Sequence, residues 1–222
     1  MLIVPIIIFG CASLIMSVIY SIFKDKGDWI GFIVRNITML LLLVFAIVTI
    51  NVSNVVNGFS LFIAVALAIN MFLEGLQLTS IKDAKVKNIL CEVSKGITYL
   101  SLMLSAMSLA SFSVCALLGG IFVGLAVGMI VWLIKKTDEA SEACATIFSF
   151  ACLGAMLGMA INGIVFTGHM LSAILVLVGG GLLLASDLLN QFLKEGRVKN
   201  ILVSEFKIIA LVLLVVAIYL FN

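Results

Sequence analysis

The chain has 222 residues, of which 64% are hydrophobic and 11% are charged, and its formal net charge is +2. A composition this apolar excludes a soluble domain and is typical of a protein that crosses the membrane several times. The small net charge, with no basic run interleaved with aromatic residues, predicts no nucleic-acid partner.

The cysteine and histidine content argues against a disulfide framework and against a metal site. The five cysteines are scattered without a C-x-x-C pair, and their number is odd. His169 is the single histidine, which makes a histidine-based metal centre or catalytic triad unlikely on composition alone. We therefore expect no metal and no other cofactor.

Apolar runs of bilayer-spanning length, about 20 residues, recur along the whole chain. The first run lacks a charged n-region and a small-residue cleavage site, so we interpret it as a retained helix rather than a signal peptide. Pro5 is the single proline, so the later runs have no proline kink. The sequence predicts an all-α integral membrane protein with eight transmembrane helices, at residues 2–22, 31–50, 58–77, 88–110, 114–134, 142–162, 168–190 and 200–221.

Charged residues cluster in every second turn between the predicted helices. Lysine and arginine occur in the first, third, fifth and seventh turns, whereas the turns at 51–57, 111–113 and 166–169 contain neither. The positive-inside rule then places the basic turns in the cytoplasm and both termini on the outer side of the cell membrane. The 11 acidic residues also lie at the cytoplasmic ends, so we expect a polar site to open towards the cytoplasm.

The two halves of the chain resemble each other. The run KDAKVKNIL at 82–90 matches KEGRVKNIL at 194–202, a shift of 112 positions that also carries Lys95 onto Lys207. A shift of half the chain indicates duplication, although a chance match between two basic loops is the alternative. Four spans are an even number, so the two halves run parallel. We predict a single membrane domain, 1–222, of two parallel four-helix repeats (4+4), at about 1–110 and 114–222.

Glycines recur at every fourth position in two neighbouring predicted helices. They stand at 120, 124 and 128 in the fifth helix and at 154 and 158 in the sixth. Small residues at this spacing let two helix backbones approach closely. We expect packing within the chain rather than a dimer face.

One carboxylate, Asp187, interrupts an apolar run that begins near Leu171. An acidic residue within a membrane helix is costly and is therefore a functional candidate. With one gap, the run AINM at 68–71 aligns with ASDL at 185–188, so that Asn70 becomes the counterpart of Asp187. Glu74 follows Asn70 by one turn on the same helical face.

Two lysines complete the predicted polar cluster. Lys95 and Lys207 lie on the helices that follow, and Tyr99 lies one turn beyond Lys95. A desolvated carboxylate among these groups can act as a general acid or base. The alternative is a pair of buried salt bridges that fix the register of the helices and do nothing else. Glu92 and Glu205 are expected at the membrane interface, and His169 in a solvated turn.

The chain resembles the YhhN family of integral membrane proteins, which includes lysoplasmalogenases. The run Gly180–Phe192 is similar to the glycine-start, Ser-Asp, leucine-rich signature of that family's seventh helix, and RNITMLLLL at 35–43 is similar to the start of its second helix. The resemblance implies hydrolysis of the vinyl-ether bond of a lysoplasmalogen or related lysolipid. Two positions depart from the family pattern. Asn70 stands in place of an aspartate, and Lys95-Gly96 stands where Ala-His precedes the tyrosine.

The resemblance also implies roles for the polar cluster. We expect Asp187 as the acid–base residue, with Glu74 replacing the lost aspartate and Asn70 in support. Substrate contacts are expected from Lys95, Tyr99, Ser186 and Lys207, with a membrane lipid or lysolipid as the partner. Two other interpretations stay open: a catalytically inactive lipid-binding scaffold, favoured by the missing Asp and His, and a small-molecule transporter built from parallel repeats.

Overall fold

The described part of the chain is helical and contains no strand. The computed structural model describes residues 28–53, 57–76, 84–109, 112–135, 140–166, 168–193 and 196–221, and six helical positions before them (8, 11, 12, 15, 18 and 19). The seven complete helices are α1 (Asp28–Ser53), α2 (Gly58–Leu76), α3 (Ala84–Leu109), α4 (Val114–Lys135), α5 (Ala140–Phe166), α6 (Met170–Phe192) and α7 (Arg197–Phe221).

Most of these helices are long and apolar enough to cross a membrane. Five stretches qualify, and they lie in α3, α4, α5, α6 and α7. α1 and α2 contain the shorter apolar stretches Asn36–Asn51 and Gly58–Leu73. The protein is therefore an α-helical membrane protein with several spans.

The predicted count of eight helices is not reproduced within the described residues, which form seven. The predicted span 2–22 lies for the most part outside them. Several predicted boundaries were too short: α1 begins at Asp28 rather than at 31, and α5 ends at Phe166 rather than at 162. Hydropathy marks the length inside the hydrocarbon layer, whereas backbone hydrogen bonds continue a helix beyond it.

Side-chain caps fix where α2 and α4 begin. Asn57 Oδ1 accepts a hydrogen bond from the backbone N–H of Ser60 at 2.9 Å, and Ser113 Oγ accepts one from that of Ala116 at 3.4 Å. Each cap satisfies an amide that has no partner within the first turn of its helix. An unsatisfied amide is costly close to lipid, so these caps suit short turns at the edge of the apolar layer.

Successive helices run in opposite directions, which gives the bundle two chemically different ends. At one end, named here the uncharged end, the Phe221 ring lies 4.8 Å from the Phe59 ring and 4.4 Å from the His169 ring. At the other end, named the charged end, Lys135 Nζ at the end of α4 lies 3.1 Å from Glu142 Oε1 in α5.

Helix contacts occur in matched pairs that are four helices apart. α2 packs on α3 as α6 packs on α7, and α1 packs on α2 as α5 packs on α6. Contacts between the two halves match as well. The contact of α3 with α5 corresponds to that of α7 with α1, and the smaller contact of α3 with α6 corresponds to that of α7 with α2. α4 packs along α5, and the counterpart of that contact involves 2–22, outside the described residues.

α5 is the most enclosed of the five long apolar helices, and α4 is the least. In α5, 56% of the most apolar stretch of the helix is buried, against 17% of the corresponding stretch in α4. α5 lies between α3, α4 and α6, and its Phe150 and Met156 belong to the largest fully buried side chains. α4 is therefore held by α5 and presents most of its surface outward.

Glycines bring the backbones of α4 and α5 into direct contact. A Cβ atom at Gly124 would overlap the carbonyl oxygen of Phe150, and one at Gly154 would overlap that of Gly120. The packing within the chain that the glycine spacing predicted is confirmed. The contact leaves no room for a methyl group at these positions.

Substituting Gly124→Ala is expected to lower the thermal unfolding midpoint of the purified protein in detergent. The added methyl group forces the two backbones apart, which costs about 1–3 kcal/mol. Gly119→Ala is the matched control on the same helix, because a Cβ there meets no atom within 4 Å. Equal midpoints for the two variants would contradict the backbone contact.

Candidate functional site

Four helices enclose a cavity near the charged end of the bundle. α2 and α6 end there, and α3 and α7 begin there. The volume of the cavity is about 260 Å³. Six of the seven residues predicted for the site line its wall: Asn70, Lys95, Tyr99, Ser186, Asp187 and Lys207.

Asp187 is the centre of the polar contacts in this wall. Its Oδ2 accepts a hydrogen bond from the Tyr99 hydroxyl at 2.7 Å and lies 3.2 Å from the Lys95 ammonium nitrogen. Lys95 and Tyr99 are four residues apart on α3, so they project from one helical face. Both groups stabilise negative charge on Asp187, of which only 9% is exposed. The structure thus contains one of the two salt bridges that the alternative interpretation of the sequence supposed, that of Asp187 with a lysine.

Neighbouring contacts hold α6 in the position that this arrangement needs. The Ser186 hydroxyl donates a hydrogen bond to the carbonyl oxygen of Val203 at 2.9 Å and so joins α6 to α7. On the other side, a Cβ at Gly180 would lie 2.8 Å from Leu157 Cδ2, so this glycine lets α6 approach α5 closely. Asp187 therefore lies on a helix that is held by α7 on one side and by α5 on the other.

Counterparts from the two halves of the sequence meet at the cavity. The wall contains Asn70 with Asp187 and Lys95 with Lys207, the pairs that the internal alignment relates. Asn70 is 3% exposed, so its amide is as buried as the carboxylate. The sequence predicted a cluster of these four residues with Glu74. The structure brings the four together, and the side chain of Glu74 lies outside the described residues.

Two residues considered in the sequence contribute nothing to the described wall. The backbone of Glu74 belongs to α2, but its side chain lies outside the described residues. His169 precedes α6 at the uncharged end, is exposed and packs on Phe221. The histidine is therefore remote from Asp187.

Glu92 is the functional candidate that the sequence analysis missed. It was expected at the membrane interface, but it lines the cavity with Oε2 buried. This oxygen lies 3.7 Å from Lys95 Nζ and accepts no hydrogen bond from the described residues. Burying an oxygen in this way costs about 1–3 kcal/mol. The available signal was the three-residue spacing to Lys95, which puts both side chains on one face of α3.

Lys95 consequently lies between two carboxylates, those of Asp187 and Glu92. One ammonium group and two carboxylates leave one negative charge in excess within this triad. The contact with Asp187 is shorter than that with Glu92, 3.2 Å against 3.7 Å. The triad therefore holds Asp187 firmly and Glu92 more loosely.

A second cavity adjoins the first towards the charged end. Its volume is about 380 Å³, and it shares Cys91, Glu92 and Asn190 with the first cavity. Glu92 thus belongs to the walls of both. The other charged groups of the second cavity are Lys135, Glu142 and Lys199.

Comparisons with known proteins add no identification. The chain matches no family model, no curated protein and no solved structure. Among the described residues, no three His, Cys, Asp or Glu side chains are grouped so that they could hold a metal ion. Function is therefore inferred from the two cavities and their side chains.

Substituting Lys95→Met is expected to destabilise the protein by about 3–5 kcal/mol, because Asp187 then keeps a buried charge without its cation. The double variant Lys95→Met/Asp187→Asn removes both charges of this pair and should recover part of that loss, while Glu92 still lacks its cation. Thermal unfolding of the wild type, the two single variants and the double variant gives the coupling free energy. Additive effects of the two substitutions would contradict a direct Lys95–Asp187 interaction.

Proposed function

We propose that the protein is a membrane hydrolase that acts on a lysoplasmalogen or a related lysolipid from the cytoplasmic side. The observation that carries the proposal is a buried carboxylate, Asp187, in the wall of a polar cavity among apolar helices. A hydrogen bond from Tyr99 orients that carboxylate. The resemblance of Gly180–Phe192 to the YhhN signature supports the same function.

Hydrolysis of a vinyl ether needs a proton donor and a water molecule. A proton added to the outer vinyl carbon gives an oxocarbenium ion, and water then adds to the carbon that bears the oxygen. The resulting hemiacetal breaks its C–O bond and leaves a fatty aldehyde and a free glycerol hydroxyl. In this proposal Asp187 delivers the first proton and regains one from the added water. General acid–base catalysis of this kind contributes about 10²–10⁴-fold.

The ion pair sets a condition on this chemistry. Lys95 lies 3.2 Å from Asp187, so the ammonium group has to leave this contact before the carboxyl group can act on the substrate. A substrate phosphate supplies a reason for that movement, since it competes with Asp187 for Lys95. Lys207, in the same wall, is placed to bind the same phosphate. That Glu74 replaces the lost aspartate stays a prediction.

The same ion pair also supports a second candidate, a lipid-binding membrane protein without catalytic activity. Asn70 offers an amide where the family pattern has a second acid, and Lys95 neutralises Asp187. The transporter interpretation has less support. The wall of the first cavity reaches Leu102 and Leu211, while Phe59 and Ile218, nearer the uncharged end, are fully buried.

We further propose that the helices form two parallel four-helix repeats, with 2–22 as the first helix of the first repeat. The matched contacts of α1–α3 and α5–α7 support this, as does the meeting of Lys95 with Lys207 at one cavity. The basic turns support a cytoplasmic position for the charged end and an outer position for both termini.

Purified protein in detergent is expected to release fatty aldehyde from lysoplasmalogen, and Asp187→Asn is expected to lower the rate about 10²-fold or more. Glu205→Gln is the matched control, because it makes the same carboxylate-to-amide change on α7 outside both cavity walls. Aldehyde is measured directly, and thermal unfolding checks each variant. Absence of turnover from folded wild-type protein would reject hydrolysis of this bond and favour the non-catalytic candidate.

A reporter enzyme that is active only outside the cytoplasm is expected to be active when fused to Asn222, because the positive-inside rule places the C-terminus on the outer side. The same reporter inserted in the turn 136–139 should be inactive, since that turn carries Lys136 next to Lys135. The opposite pattern would overturn the proposed orientation. Fluorescent-protein fusions at the two positions provide the complementary measurement.

A further inference from the structure

Glu92 has unused capacity to accept hydrogen bonds. Its Oε2 is buried and accepts none from the described residues, and its one ion pair is the 3.7 Å contact with Lys95. Lys95 is shared with Asp187, which holds it at the shorter distance. The Glu92 side chain is 19% exposed, and a largely enclosed carboxylate with so long an ion-pair contact favours a further cation.

Glu142, the other acid of the second cavity, has a closer cationic partner than Glu92 has. Glu142 Oε1 lies 3.1 Å from Lys135 Nζ, and the two groups are hydrogen-bonded. The Lys95–Glu92 contact, at 3.7 Å, is longer than the Lys95–Asp187 and Lys135–Glu142 contacts and is therefore easier to open than either of them. It also lies where the two cavities share their wall.

Opening the Lys95–Glu92 pair exposes one positive and one negative group close together. A ligand with an anionic phosphate and an ammonium group on a short linker can take the place of both partners. Its phosphate replaces Glu92 beside Lys95, and its ammonium group replaces Lys95 beside Glu92. The phosphate binds Lys95, and the ammonium group binds Glu92. Each charge of the ligand then lies beside a group of the protein that carries the opposite charge.

We propose that Glu92 is a specificity residue that binds the ammonium group of a zwitterionic phosphoamine ligand. The proposal deepens the function proposed above and rests on it for the position of the scissile bond near Asp187. The second cavity, which leads from the charged end to Glu92, receives the head group. Withdrawal of Lys95 by the phosphate links recognition of the head group to release of Asp187 from its ion pair.

Binding to purified protein in detergent tests the proposal without hydrolysis of a vinyl ether. The ligands are two alkyl-ether lysolipids with the same chain, one with a zwitterionic phosphoethanolamine head and one with an anionic phosphoglycerol head. Affinities are measured from the ligand-dependent shift of the thermal unfolding midpoint. Because the alkyl ether has no vinyl bond, failure of the hydrolase proposal leaves this measurement unaffected.

We expect the wild type to bind the zwitterionic lysolipid about tenfold more tightly than the anionic one, and Glu92→Gln to lose that preference. Glu205→Gln is the matched control, because Glu205 lies outside both cavity walls, and it should keep the preference. A preference retained in Glu92→Gln, or absent from the wild type, would overturn the assignment. The midpoint of each variant without ligand shows whether it is folded.

A third ligand, glycerophosphoethanolamine, separates the two possible sources of the head group. Binding that requires the alkyl chain assigns the site to a lysolipid in the membrane. Binding of the free phosphoamine with equal affinity, and its loss in Glu92→Gln, keeps the role of Glu92 but assigns the site to a water-soluble ligand.

Discussion

The contact of Asp187 with Lys95 and Tyr99 is the constraint around which the charged end of the bundle is arranged. A charged side chain within a membrane helix is costly, by up to about 3 kcal/mol at the helix centre on insertion scales. An ammonium group at 3.2 Å and a phenol hydroxyl at 2.7 Å offset that cost. They also join α3 to α6, two helices that approach each other at few points and face each other across the cavity.

The sequence carries enough information to predict which residues form this cluster, because hydropathy and the internal repeat can both be read from it directly. Hydropathy located the helices, and the repeated KNIL segment related Lys95 to Lys207. Asn70 and Asp187 followed from the same alignment. What hydropathy does not supply is the depth of a side chain in the bundle, which depends on how the helices are inclined and spaced. Glu92, two turns inside α3, was therefore assigned to the interface although it lines the cavity.

The choice of partner for Asp187 also lies beyond the sequence signals. The alignment makes Lys95 and Lys207 equivalent, so it does not favour either lysine. In the structure the ion pair forms with Lys95, whose helix also carries Tyr99 one turn further on. The same shift of 112 positions places Leu211 at that point of α7. A leucine offers no hydrogen bond, so the tyrosine gives the α3 side the additional contact.

Under the proposed duplication, divergence between the two halves explains why the cavity is chemically uneven. Under the proposed repeat, Asn70 corresponds to Asp187, and Glu92 corresponds to Ser204, which also lines the cavity. Each half thus contributes one described carboxylate to the wall, but at different positions, while both halves keep a lysine. A symmetric wall would present the same groups twice and would suit a symmetric ligand. This wall places one acid beside a phenol and the other between two cavities, an arrangement that suits a ligand whose ends differ in charge.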